Sequence, residues 1–124
     1  MKTKLIVLGG LLLILLSLFH LSFWSLFNWQ EELSKLSDTN SGIMQLSTIG
    51  FASLFLSLGI TLIGYRVEIA DTKLGKALLL ALSFFFFVRT IAELVFPGSS
   101  IKLGVFLFLC ALVFFIPALT KKIV

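Results

Sequence analysis

The stretch Ser83-Phe84-Phe85-Phe86-Phe87-Val88-Arg89-Thr90-Ile91-Ala92-Glu93-Leu94-Val95-Phe96 sets an arginine and a glutamate inside an otherwise apolar run. A charged side chain at the centre of a membrane-spanning helix costs about 2.5 to 3.5 kcal/mol on insertion scales, so Arg89 and Glu93 are expected to turn away from lipid. The other three apolar stretches of the chain then have to shield them.

Composition supports that setting. Hydrophobic residues make up 59% of the chain and charged ones 13%, against roughly 45–50% and 25% in an ordinary soluble domain. A soluble core of this length could not hide so much apolar surface, whereas lipid allows a helix to be apolar on every side. The expected fold class is an all-α membrane protein, a four-transmembrane-helix bundle in one domain over residues 1–124, with spans at about 5–29, 43–65, 75–96 and 102–120.

Lys2 and Lys4 precede an uncharged run from Leu5 to Gln30, longer than the roughly 30 Å of hydrocarbon at about 1.5 Å per residue. This start imitates a signal peptide, but no pair of small residues stands at cleavage spacing around Phe19 to Phe23, so it is expected to stay as a span. The polar segment Gln30 to Gly42 prolongs the first helix through Leu33 and Leu36 and then turns at Asp38-Thr39-Asn40-Ser41-Gly42, placing the next helix start near Ser41. Asp71 or Thr72 is placed to cap span three, which stops at Pro97-Gly98-Ser99-Ser100. Pro117 is expected to kink the last turn of span four, and Lys121 and Lys122 close the chain.

Basic residues orient the four spans. If the N-terminus is cytoplasmic, Lys2, Lys4, Arg66, Lys73, Lys76, Lys121 and Lys122 fall inside, and only Lys35 and Lys102 outside. Both termini are therefore expected in the cytoplasm, in a multi-pass protein of the inner membrane. Trp24 and Trp29 then sit at the outer headgroup layer.

In that orientation His20 and Arg89 share a level in the outer half of the bilayer. If span one is one continuous helix, His20, Trp24, Phe27 and Glu31 stack along one face, with Asn28 at its flank and Gln45 arriving from span two. Arg preceding Glu by four residues is the weaker order for an ion pair, and Glu93 faces the negative end of its own helix, so it needs a further donor. Arg89, with five donors, is expected to span Glu93 and either Glu31 or Gln45. The candidate binding cluster is thus Arg89, Glu93, His20, Gln45, Glu31, Trp24 and Asn28. It reads either as a buried network that fixes helix packing or as an outward-open polar pocket under aromatic walls.

Gly50, Ser53, Ser57, Thr61 and Gly64 recur at steps of three and four in span two and predict a helix-packing face, for a neighbour in the same chain or for a second protomer or another membrane protein. The four-phenylalanine run covers every side of span three, so part of it must face lipid. Cys110 is the single cysteine and reads as a small apolar residue, with no disulfide or redox pair. No cofactor is expected. Metal binding is disfavoured by the lone histidine and by Arg89 beside the carboxylates, and a nucleic-acid partner by the absence of an interleaved basic and aromatic stripe. No internal repeat is visible. No nucleophile stands with an adjacent base, so the chain does not read as an enzyme; His20 with Glu93 is only a geometric acid–base option.

The stretches Phe23-Trp24-Ser25-Leu26-Phe27-Asn28-Trp29-Gln30-Glu31-Glu32-Leu33, Asn40 to Gln45, and Thr72-Lys73-Leu74-Gly75-Lys76-Ala77-Leu78 together resemble small bacterial four-span membrane proteins with no assigned activity. That resemblance implies the architecture and nothing about individual residues. In size the chain is also similar to small multidrug transporters and fluoride channels, but span one lacks the membrane-embedded glutamate of the former, and the arginine-containing glycine-rich motif of the latter is missing. The function expected is binding in the lipid bilayer, as an accessory subunit of another membrane protein or as a carrier or sensor for a small amphiphile or lipid.

Overall fold

The computed structural model describes residues 1–98 and 100–121, and every regular element among them is helical. Ser99 of the predicted breaker and Lys122 of the closing pair lie outside the described residues. Four helices are long and apolar enough to cross a membrane: α1 (Lys2–Leu21), α4 (Asp38–Gly64), α6 (Lys73–Val95) and α7 (Ile101–Leu119). Between α1 and α4 lie two single turns, α2 (Phe23–Leu26) and α3 (Trp29–Glu32), and a 3-10 turn over Leu33–Lys35; α5 (Arg66–Asp71) joins α4 to α6.

Three starts are fixed by hydroxyl caps. Ser37 accepts the Asn40 N–H, Thr72 the Gly75 N–H and Ser100 the Leu103 N–H, each satisfying one donor that the helix itself leaves open. The Thr72 cap agrees with the sequence reading. The start of α4 does not: it comes three residues before Ser41, because Ser37 rather than the Asp38–Gly42 cluster supplies the cap. The first span is also shorter than expected. Its helix ends at Leu21, and Asn28 adopts a left-handed conformation (φ 51°, ψ 49°) that turns the chain back. Asparagine tolerates that region where most residues do not.

The helices pair as two hairpins, α1 with α4 and α6 with α7. Each is locked at mid-height by a buried serine that donates to a carbonyl of the facing helix: Ser17 Oγ to Ala52 O at 2.6 Å, and Ser83 Oγ to Ala111 O at 2.9 Å. The match extends to the packing. Leu13, Leu16 and Ser17 in α1 have the spacing of Leu79, Leu82 and Ser83 in α6, and Ala52 and Phe55 in α4 that of Ala111 and Phe114 in α7, all of them buried. The correspondence is limited to these core positions, which is why the sequence showed no repeat.

The small-residue stripe of the second span does not pack against a neighbour in the same chain. Gly50, Ser53, Ser57, Thr61 and Gly64 are all exposed, and the hydroxyls of Ser53, Ser57 and Thr61 bond carbonyls of their own helix. The face of α4 turned to its neighbours is Thr48, Ala52, Phe55, Gly59 and Leu62. Closest approach falls at Gly10 and Gly59, where a Cβ on Gly59 would stand 2.7 Å from the Gly10 carbonyl oxygen and one on Gly10 2.8 Å from that of Gly59. The sequence reading counted small side chains, but a helix has several such faces, and the one with Gly59 and Ala52 fits the glycines of α1.

The hairpins join along one seam. The Phe114 ring covers Gly9 so closely that any Cβ there would collide with it, and Lys2 Nζ donates to Thr120 O at 3.2 Å. Across the other seam the backbones of α4 and α6 stay apart, and contact is made by rings, Phe55 against Phe85 and Phe86, and Phe51 against Phe85. Of the phenylalanine run, Phe86 is 1% exposed and Phe84 69%, so the run divides between core and surroundings as expected.

Gly59→Ala would add about 1 kcal/mol of stability to an unconstrained helix. Here it is expected to lose roughly 1 to 3 kcal/mol through overpacking against Gly10, while Ser57→Leu is expected to be nearly silent. Chemical unfolding in mild detergent measures both, and an equal loss for Ser57→Leu would return the stripe to the packing face.

Candidate functional site

At the loop end of the molecule, where α1 and α6 finish and α4 and α7 begin, the separated seam leaves a cavity of about 410 Å³, within the roughly 300–1,000 Å³ of small-molecule sites. Its walls are apolar and largely aromatic: Phe19 and Phe23 on one side, Phe51 and Phe55 from α4, Phe85 and Phe86 from α6, with Leu103 and Leu107 of α7 behind. Three polar side chains line it, His20, Arg89 and Glu93.

Glu93 is the buried member of the pair. Its side chain is 10% exposed, and that of Arg89 is 43%. Oε2 accepts from Arg89 Nη1 at 2.8 Å, while Oε1 accepts the backbone N–H of Ser100, the residue that caps α7, at 3.0 Å. The further donor that Glu93 was expected to need is therefore the N-terminus of the next helix. The positive end of α7 offsets the unfavourable end of α6 at which Glu93 sits. Gly98, at φ +78°, makes the turn that brings Ser100 back over the carboxylate at no steric cost to glycine.

Arg89 does not reach a second carboxylate. Its ion pair with Glu93 is its one contact among the described residues, made through a single nitrogen, so most of its five N–H donors remain open. It also lines a second, smaller concavity of about 320 Å³ with Ala92, Phe96 and Pro97. Arg89, Glu93 and Gly98 belong to both. The guanidinium thus stands at the edge of the apolar chamber, between it and a second concavity whose polar lining is the ion pair itself.

His20 occupies the position that Phe86 holds in the other hairpin, three residues after the locking serine. Its ring lies 5.4 Å from Phe55, as Phe86 lies 5.7 Å from Phe114. Nδ1 meets the Leu16 carbonyl at 2.7 Å. A carbonyl oxygen only accepts, so Nδ1 carries the proton and Nε2 remains without a partner among the described residues.

The other four predicted residues go elsewhere, because the break at Ser22 and the reversal at Asn28 end the continuous face that would have stacked them. Trp24 Nε1 donates to Gln45 Oε1 at 3.1 Å, and Gln45 Nε2 in turn donates to Ser41. This pair lines a separate, open concavity of about 660 Å³ with Trp29, Gln30 and Asp38. Asn28 Nδ2 donates to Glu31 Oε2 at 3.0 Å in an exposed local contact. Trp29 is buried against Phe23 and Trp24, so it acts as a plug for the reversed segment. Sequence reasoning missed Ser100 and Gly98. A serine and a glycine in a breaker read first as turn chemistry, although a serine just ahead of the fourth apolar run was a visible cap signal.

Among the described residues no three His, Cys, Asp or Glu side chains gather closely enough to hold a metal ion. No family model, curated protein or solved structure matches this chain, and the site is read from its own chemistry.

Arg89→Leu leaves the buried carboxylate with the Ser100 N–H alone and should lower stability by roughly 1 to 3 kcal/mol. Adding Glu93→Leu removes the stranded charge and should recover part of that, leaving the Ser100 N–H to lose its acceptor. Thermal unfolding in detergent compares the two. An Arg89→Leu variant as stable as the native protein would show that Glu93 is served by other groups.

Proposed function

We propose that this chain is a multi-pass inner-membrane protein that binds an amphiphile, with both termini in the cytoplasm and the cavity in the outer half of the bilayer. One observation carries the reading: the aromatic chamber ends at an ion pair, Arg89 with Glu93, that also lines a second, smaller concavity beside it. An apolar tail among the rings and a polar head at the ion pair fit that arrangement, whereas a wholly polar or wholly apolar ligand uses only one part of it. The seam between α4 and α6, closed by side chains and not by backbone, is the route by which such a molecule enters from lipid. Orientation follows from the basic residues, which crowd the end opposite the cavity. Of the two kinds of binding expected from sequence, the carrier or sensor for a small amphiphile is favoured over the accessory subunit.

Two measurements test this. Cysteine labelling at Lys4 should report the cytoplasm and at Ser37 the outside, and the reverse pattern would invert the placement of the cavity. Native mass spectrometry from mild detergent should show the protein carrying, or on titration accepting, one amphiphile per chain. Phe51→Trp, on the cavity wall, should reduce that occupancy several-fold. A protein that accepts no amphiphile of any headgroup would overturn the reading.

A further inference from the structure

We infer that the site selects an anionic headgroup, a carboxylate or a phosphate monoester on a single apolar chain, and that Arg89 is the residue that reads it. This rests on the amphiphile reading above and adds the chemistry of the head. The argument is one of unused donors. Glu93 has both oxygens engaged, one by a single Arg89 nitrogen and the other by the Ser100 N–H. Its charge is thereby held on the α7 side of the cavity. The guanidinium keeps most of its N–H donors, in a planar fork that matches a carboxylate or phosphate, and it is the partly exposed member of the pair.

Charge around the guanidinium does not forbid an anion's approach. Lys102 stands in the first turn of α7, two residues after Ser100, whose N–H holds the other oxygen of Glu93, and the nearby acidic residues are engaged elsewhere: Glu31 by Asn28 and Glu32 by Lys35 in the α1–α4 connection, while Asp38 at the start of α4 lines the separate Trp24 concavity. His20 is held by Nδ1 on the Leu16 carbonyl and its ring packs among Phe19, Phe23, Phe51 and Phe55, so the head belongs at Arg89 and the chain runs past His20.

The test uses the whole protein in nanodiscs of neutral phosphatidylcholine, titrated with dodecanoate, dodecyl phosphate and dodecanol, which share one chain. Native mass spectrometry after release gives the occupancy. At least one anion should bind about tenfold tighter than the alcohol, the scale of one charge-assisted pair, and whichever anion leads identifies the carboxylate or the phosphate source. Arg89→Gln, which still donates to Glu93, should bring the anions down to the level of the alcohol, and Arg89→Lys should keep part of the preference as a point charge without the fork. Equal binding of all three by the native protein, or an anion preference that survives Arg89→Gln, overturns this inference and leaves the amphiphile reading standing. Failure of all three to bind overturns this inference, and the amphiphile reading falls with it only if dodecylammonium and a zwitterionic single-chain amphiphile also fail to bind. If Arg89→Gln does not fold, the native ranking together with Arg89→Lys decides the matter.

Discussion

Helices apolar on all sides gain little from burying apolar surface against one another in lipid, so their register depends on close packing and on the few polar groups between them. In this chain those groups are two serine hydroxyls, Ser17 and Ser83, each donating to a carbonyl of the facing helix. They set the height at which α1 meets α4 and α6 meets α7. Everything nearer the loops, including the ring pairs three residues further on, inherits that register. The glycine contact at Gly10 and Gly59 works with Ser17, because a carbonyl is within reach of a short hydroxyl only where two helix backbones nearly touch.

The two hairpins are alike in their locks and unlike in how they meet. Gly9 lets Phe114 close one seam, while at the other Phe55 meets Phe85 and Phe86 ring to ring and holds the backbones apart. The cavity is the space left by that inequality. Aromatic side chains therefore have two roles, as spacers between hairpins and as walls of the site.

The ion pair that looked like the centre of a wide polar network is a compact clasp. Glu93 joins the end of α6 to the start of α7, and a carboxylate at that point is tolerated because a helix N-terminus faces it. This leaves the arginine under-used, and the proposed binding chemistry rests on that imbalance. It also explains why the structural and the functional readings of Arg89 and Glu93 are compatible. The glutamate serves mainly the fold, and the arginine is turned toward the cavity.

The sequence alone determined the four long helices, because runs this long and this apolar have no other stable form with their backbone groups satisfied. It also narrowed the cap of α6 to Asp71 or Thr72 and indicated the division of the phenylalanine run and the pairing of Arg89 with Glu93, all of which depend on residues close together in the chain. The tertiary structure alone decided which faces meet. Helical spacing marks the stripe from Gly50 to Gly64 and the face through Ala52 and Gly59 equally well, and only the glycines of α1 discriminate between them. Likewise, the stacking of Glu31 with His20 required an unbroken helix, and the break after Leu21 together with the left-handed Asn28 took Trp24 and Glu31 off that face. Local chemistry is written in neighbouring residues. A site assembled from four helices depends on the angle at every turn between them, and a single change of backbone region at a turn redirects all that follows.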